Sequence, residues 1–133
     1  LESGKRTRSD ESWATQYEMI KNNDAFLVTA LYNKELVAVG FFTTSSNSCY
    51  YGSSASRREL FQKPLFHSIM WTALIHAKRL NCRWFETGEQ RFDGSEKDLG
   101  ISLFKAGFGG NTRVYLESLY CQDRFRTNNF LKT

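Results

Sequence analysis

The stretch PLFHSIMWTALIHAKRLNCRWFE, residues 64–86, decides how the chain is put together. Phe66, Ile69, Met70, Ala73, Leu74 and Ala77 recur at helical spacing, so one face of a helix running to about Leu80 is apolar. Pro64 suits the first helical position, because its missing N–H costs nothing there and its φ is already helical. Asn81 can close the helix in a left-handed cap, and Cys82–Glu86 (CRWFE) then reads as a short strand. Ser48–Ser53 (SCYYGS), upstream of the helix, reads as another strand. Strand, helix and strand at this distance form a crossover unit, which pairs its two strands in parallel.

Working toward the N-terminus, Ala25–Tyr32 (AFLVTALY) and Glu35–Thr43 (ELVAVGFFT) read as two strands joined by Asn33-Lys34. Two residues are enough for a hairpin, and Asn tolerates the positive φ such a turn demands. The second strand is apolar on both faces, which places it centrally in a sheet. Thr44-Ser45-Ser46-Asn47 is a polar turn, so the three strands make an antiparallel meander. Ser9-Asp10-Glu11 caps a first helix that carries Trp13, Tyr17 and Ile20 as its apolar stripe and ends near Asn22.

Working toward the C-terminus, Thr87–Gly94 is a polar loop and Ser95-Glu96-Lys97-Asp98 has the form of a capping box. The helix it opens presents Ile101, Phe104 and Phe108 on one side and closes at Gly107, after which Thr112–Tyr120 reads as a last strand. The fold class expected is therefore α/β (α+β): a mixed sheet with an antiparallel meander and flanking helices.

Composition bounds what such a chain can be. One core is the expectation for 133 residues, with residues 25–120 as the body of a single domain and looser ends. The 41% hydrophobic and 15% aromatic fractions are those of a packed globule. No apolar run reaches the roughly 20 residues of a membrane span. Cys49, Cys82 and Cys121 are an odd number without close spacing, which favours small apolar roles in a reducing, cytoplasmic setting over a disulfide framework. The start at Leu1, with no secretory leader pattern, suggests a piece of a longer chain. A net charge of +4 is concentrated at Lys5, Arg6 and Arg8 and at Arg124, Arg126 and Lys132. Such ends are either solvated tails or an attraction for an anionic ligand, a nucleotide cofactor or RNA.

His67 and His76 lie nine residues apart on one helix, nearly on opposite sides, so a joint metal site is not expected. No Cys/His cluster, nucleophile elbow or Walker-type loop appears.

Taken in order, ELVAVGFF, CYYGSSASRREL, LFHSIMWTALIHAKRLNCRWFETGE and KDLGISLFKAGFGG resemble the GNAT superfamily, and within it the FemAB-like, GNAT-type acyltransferases. The resemblance covers about 25–116. Its more specific piece is F-K-x-G-F-G-G, met by Phe104-Lys105-Ala106-Gly107-Phe108-Gly109-Gly110; the other is the short strand ending in an acidic residue and Gly88. It implies an acyl- or aminoacyltransferase that uses acyl-CoA or aminoacyl-tRNA as donor, an amine of a small molecule or peptide as acceptor, and no metal.

Two departures stand out. The first strand and helix of the fold have no counterpart, so either they precede Leu1 or a second copy completes the sheet as a homodimer. The R/Q-x-x-G-x-G/A loop that holds CoA pyrophosphate is also absent, with Ser53-Ser54-Ala55-Ser56-Arg57-Arg58 in its place. That absence, with the basic bias, tilts the donor toward aminoacyl-tRNA.

The resemblance gives Lys105 the role of stabilising negative charge on the donor or transition state. Phe104 and Gly107 border it, and glycines there let backbone approach a ligand. On spacing alone Lys105 merely complements a helix C-terminus and Gly107 caps it. Arg57 and Arg58, near the N-terminus of the Pro64 helix, form either a phosphate site or an exposed polar loop. Glu86 and Glu89, at the C-terminal end of the short strand, are either general bases for the amine or ordinary loop carboxylates; base work at neutral pH requires burial. Tyr50 and Tyr51 lie on the strand that splays in GNAT proteins, one ring in the core and the other, Tyr51, offered to the donor. A catalytically inactive GNAT-like binding or assembly module is the alternative function, and a nucleic-acid binder using the basic ends ranks last.

Overall fold

The computed structural model describes residues 8–60, 62–91 and 94–114. They belong to two compact units, Leu1–Arg91 and Phe92–Thr133.

The first unit is built on four strands in the order β1-β2-β3-β4: β1 (Ala25–Tyr32), β2 (Glu35–Ser45), β3 (Ser48–Ser56) and β4 (Trp84–Glu86). β1, β2 and β3 pair antiparallel, and β4 joins β3 in parallel, as the crossover reading requires. The β1–β2 turn holds both Asn33 and Lys34 at positive φ, 52° and 67°. That primed geometry matches the twist of the flanking strands. The second turn is tighter than expected. Both strands run on to Ser45 and from Ser48, leaving Ser46 (φ 52°) and Asn47 to reverse the chain.

Two helices belong to this unit. α1 (Asp10–Lys21) starts at Ser9, whose hydroxyl accepts from the Ser12 N–H at 3.3 Å, and ends before Asn23 at φ 63°. Its expected apolar stripe is not buried: Trp13 and Tyr17 remain exposed. α2 (Leu65–Arg79) buries Ile69, Met70, Ala73 and Ala77, the face its spacing foretells. Pro64 is the N-cap rather than the first helical residue, with ψ at 47°, because the chain turns through a Leu65 N–H to Lys63 carbonyl bond. At the other end Asn81 takes φ 62°, and the Asn81 and Cys82 amides return to Lys78 and Ala77. This left-handed closure uses up Cys82 and Arg83, so β4 is only three residues long.

α2 and the sheet close on Phe42, which is fully buried. Its ring meets Phe26 of β1 at 5.3 Å, Tyr51 of β3 at 5.6 Å and Phe85 of β4 at 6.0 Å. Full burial of such a side chain contributes roughly 1.5–3 kcal/mol. His76 of α2 stands edge-on to Phe26 at 4.5 Å. Gly40 lets the helix settle, since a Cβ there would lie 2.7 Å from the Phe42 ring and 2.9 Å from Ile69. Cys49 is buried and Cys82 half-buried, and both are free thiols; Cys121 lies outside the described residues.

The second unit contains α3 (Glu96–Ala106). The capping box is complete: Ser95 accepts from the Asp98 N–H at 3.3 Å and Asp98 accepts from the Ser95 N–H at 3.0 Å. Phe104 and Phe108 meet edge to face at 5.1 Å, whereas Ile101, expected beside them, is exposed. Gly107 is the C-cap in right-handed conformation, and the positive φ falls at Gly109 and Gly110. The last strand was expected over Thr112–Tyr120. Thr112–Val114 is not extended into a strand, and the remainder lies outside the described residues. Among the described residues no helix is long and apolar enough to cross a membrane.

Candidate functional site

The sheet opens along one edge. β3 pairs with β4 only at Ser48–Trp84, Cys49–Phe85 and Tyr50–Glu86, while β3 itself continues to Ser56. From Tyr51 onward its outer side has no neighbouring strand among the described residues. Within that open length sits a bulge. Phe41 pairs with Ser53 and Phe42 with Tyr51, so Gly52 is an extra residue on β3. A Cβ at Gly52 would press on the Phe41 ring at 3.2 Å.

Tyr51 is the half-buried ring of the Tyr50–Tyr51 pair and Tyr50 the exposed one. Tyr51 leans on Phe42 and, at 6.0 Å, on Phe66 in the first turn of α2, and its hydroxyl meets Ser54 Oγ at 2.6 Å. Burial pushes the phenol up, a shift the Ser54 hydrogen bond partly offsets, so the hydroxyl keeps its proton at neutral pH.

Arg57 and Arg58 separate. Arg57 follows β3, with its N–H donating to the Val37 carbonyl, and its guanidinium pairs with Glu35 at 2.9 Å and Glu59 at 3.6 Å. Arg58 opens the 3-10 turn Arg58–Leu60, is exposed, and has no carboxylate partner among the described residues. Lys63, just before α2, holds its ammonium over the Tyr32 ring of β1 at 4.8 Å. Glu86 and Glu89 are both exposed, and Glu89 pairs with Arg91 at 3.2 Å. Neither carboxylate has the burial that base work at neutral pH calls for. In the second unit Lys105 is half-buried in the last turn of α3, between Phe104 and Gly107. Among the described residues no three His, Cys, Asp or Glu side chains gather to hold a metal ion.

No protein-family model matches the chain, and neither does any curated protein sequence. Solved structures do match. AAC(6')-Iy in complex with the bisubstrate analogue CoA-S-monomethyl-acetylneamine aligns with TM-score 0.65 at 13% identity, over 86% of this chain and 82% of that one. Glucosamine-6-phosphate N-acetyltransferase from Arabidopsis thaliana aligns with TM-score 0.59 at 14% identity, over 87% and 81%. A GNAT family acetyltransferase from Staphylococcus aureus gives 0.57 at 13%, over 87% and 81%.

The fold is that of the GNAT acetyltransferases.

Within a GNAT fold the open edge of β3 and the start of α2 are neighbouring features of one crossover, and this chain furnishes them differently from its sequence reading. Ser54–Ser56 is strand, although the strand was expected to end at Ser53, because pairing with Ala38–Gly40 carries β3 onward. Two partners escaped the sequence reading. Glu35 lies 22 residues from Arg57, and nothing local couples them. Ser54 belongs on the opposite face from Tyr51 in a regular strand, and only the bulge brings them together. Glycine inside a strand does hint at a bulge, so Gly52 was the one available signal.

Proposed function

We propose that this chain transfers an acyl group from acyl-CoA to an amine. The observation that carries the reading is the end of a parallel strand pair: β4 stops after three paired residues, and beyond it the edge of β3 has no neighbouring strand among the described residues. Backbone groups on such an edge are available to an extended ligand, and the pantetheine arm of CoA has amides that can use them. The fold also hosts a protein solved with a CoA-based bisubstrate analogue.

In this reading the amine nitrogen attacks the thioester carbonyl, the C–S bond breaks, and CoA leaves as thiolate while the nitrogen gives up a proton. Arg58, exposed and with no carboxylate partner among the described residues, is the phosphate ligand, and Arg57 keeps a structural role through Glu35 and Glu59. Tyr51 borders the donor on the open edge. Lys105, with Phe104 and Gly107 beside it, has the charge-stabilising role. The nitrogen's proton passes to solvent, since Glu86 and Glu89 are exposed and lack the burial of a general base.

Calorimetric titration with acetyl-CoA tests this directly. Binding should raise the unfolding temperature with ligand concentration, by about 2.7 kcal/mol of stability at one hundred times Kd. Heat with aminoacyl-tRNA and none with acetyl-CoA would transfer the reading to the FemAB-like donor. The exposure of both candidate bases favours one other reading, a GNAT-like binding module without turnover. That reading requires acetyl-CoA to bind and no amine in a broad panel to be acylated.

A further inference from the structure

We infer that Tyr51 and Ser54 form a staple across the Gly52 bulge, and that the staple holds the outer edge of β3 in the shape a donor would meet. The inference rests on the acyl-CoA reading only for what lies along that edge.

In a regular strand residues i and i+3 point to opposite faces. Tyr51 and Ser54 nevertheless touch at 2.6 Å. The extra residue at Gly52 rotates the strand by one position, bringing both hydroxyl-bearing side chains to the α2 side. The bond therefore exists only in the bulged conformation and stabilises it over a regular register. One end is anchored, because the Tyr51 ring is wedged between Phe42 and Phe66. The other end is on the exposed part of the strand, where Ser54 has no β4 residue opposite it. An edge paired on one side alone slips more easily, and among the described residues this stretch pairs only with β2. Gly52 cannot lock the bend itself, lacking a side chain, and its tolerance is what makes a staple useful.

Tyr51 and Ser54 are thus positioning residues, acting through the backbone of 51–56. Tyr51→Phe keeps the ring and removes the bond; Ser54→Ala removes it from the other side; Ser54→Thr retains a hydroxyl and suits a strand. Hydrogen exchange by mass spectrometry reads the edge without reference to any ligand. Tyr51→Phe and Ser54→Ala should each speed exchange of the 51–56 amides about three- to tenfold, the range that one hydrogen bond's net worth allows. The double variant should match the singles, and Ser54→Thr should restore the parent rate. Acetyl-CoA should bind the two disrupted variants more weakly by a comparable factor, and Ser54→Thr like the parent.

Unchanged exchange in Tyr51→Phe overturns the staple. So does faster exchange spread evenly over β1, β2 and α2, the mark of a general loss of stability. Local loosening with undiminished CoA affinity overturns the positioning role. If the parent binds no CoA while the edge still loosens on cue, the staple stands and the acyl-CoA reading is what fails.

Discussion

Gly40 shows how much one residue can settle. It lies in the central strand opposite α2, where an added methyl would sit 2.7 Å from Phe42 and 2.9 Å from Ile69. Both neighbours are fully or almost fully buried and have little room to retreat. Gly40→Ala should therefore destabilise by about 1–3 kcal/mol, measured as a lower denaturant midpoint with unchanged m-value. Cys49 carries a pH signature. Burial, with a smaller contribution from Cys82, pushes its thiol from 9.0 up to about 12. The folded state then holds a proton that the unfolded state releases, so stability declines as pH rises from about 9 toward 12. Thermal unfolding across that window should show a steeper decline in the parent than in Cys49→Ala. Gly40 and Cys49 look ordinary in the sequence, since neither close approach nor depth has a local pattern.

Elements were more readable where the cue was short-range. The Asn33-Lys34 turn, the Asn81 cap and the Ser95–Asp98 box all rest on contacts within a few residues, and each is formed. Ser95→Ala removes an N-cap and one half of a reciprocal pair, and should cost about 1 kcal/mol. Hydrogen exchange in the first turn of α3 should accelerate more than in its last turn. The length of β3 was not readable in the same way. Ser53-Ser54-Ala55-Ser56 has loop composition, and becomes strand because β2 offers it a ladder of hydrogen bonds. Amphipathicity misled in α1, whose Trp13 and Tyr17 have the right spacing and stay exposed.

For the whole molecule, the GNAT fold restricts the chemistry worth testing and leaves the residues to be sorted by experiment. Arg58→Ala should weaken acetyl-CoA binding severalfold, since a charge-assisted bond to phosphate is lost without a compensating partner. Arg57→Ala should affect CoA less and unfolding more, because that guanidinium already ties β2 to the start of the α2 connection. Lys105→Ala should lower kcat about a hundredfold with its unfolding temperature near the parent's, if Lys105 faces developing charge. An unchanged kcat would return Lys105 to the plain role of complementing a helix end.

By itself the sequence determined the meander, the crossover helix and its buried face, because periodicity and turn chemistry act over one or two turns of chain. Its resemblance to GNAT proteins agrees with the fold observed. Only the tertiary structure decided where β3 stops pairing, that Gly52 is a bulge, that Ser54 reaches Tyr51, and that Glu35 claims Arg57. Each of those depends on a strand or side chain brought close by folding, and no local stretch of residues encodes its distant neighbour.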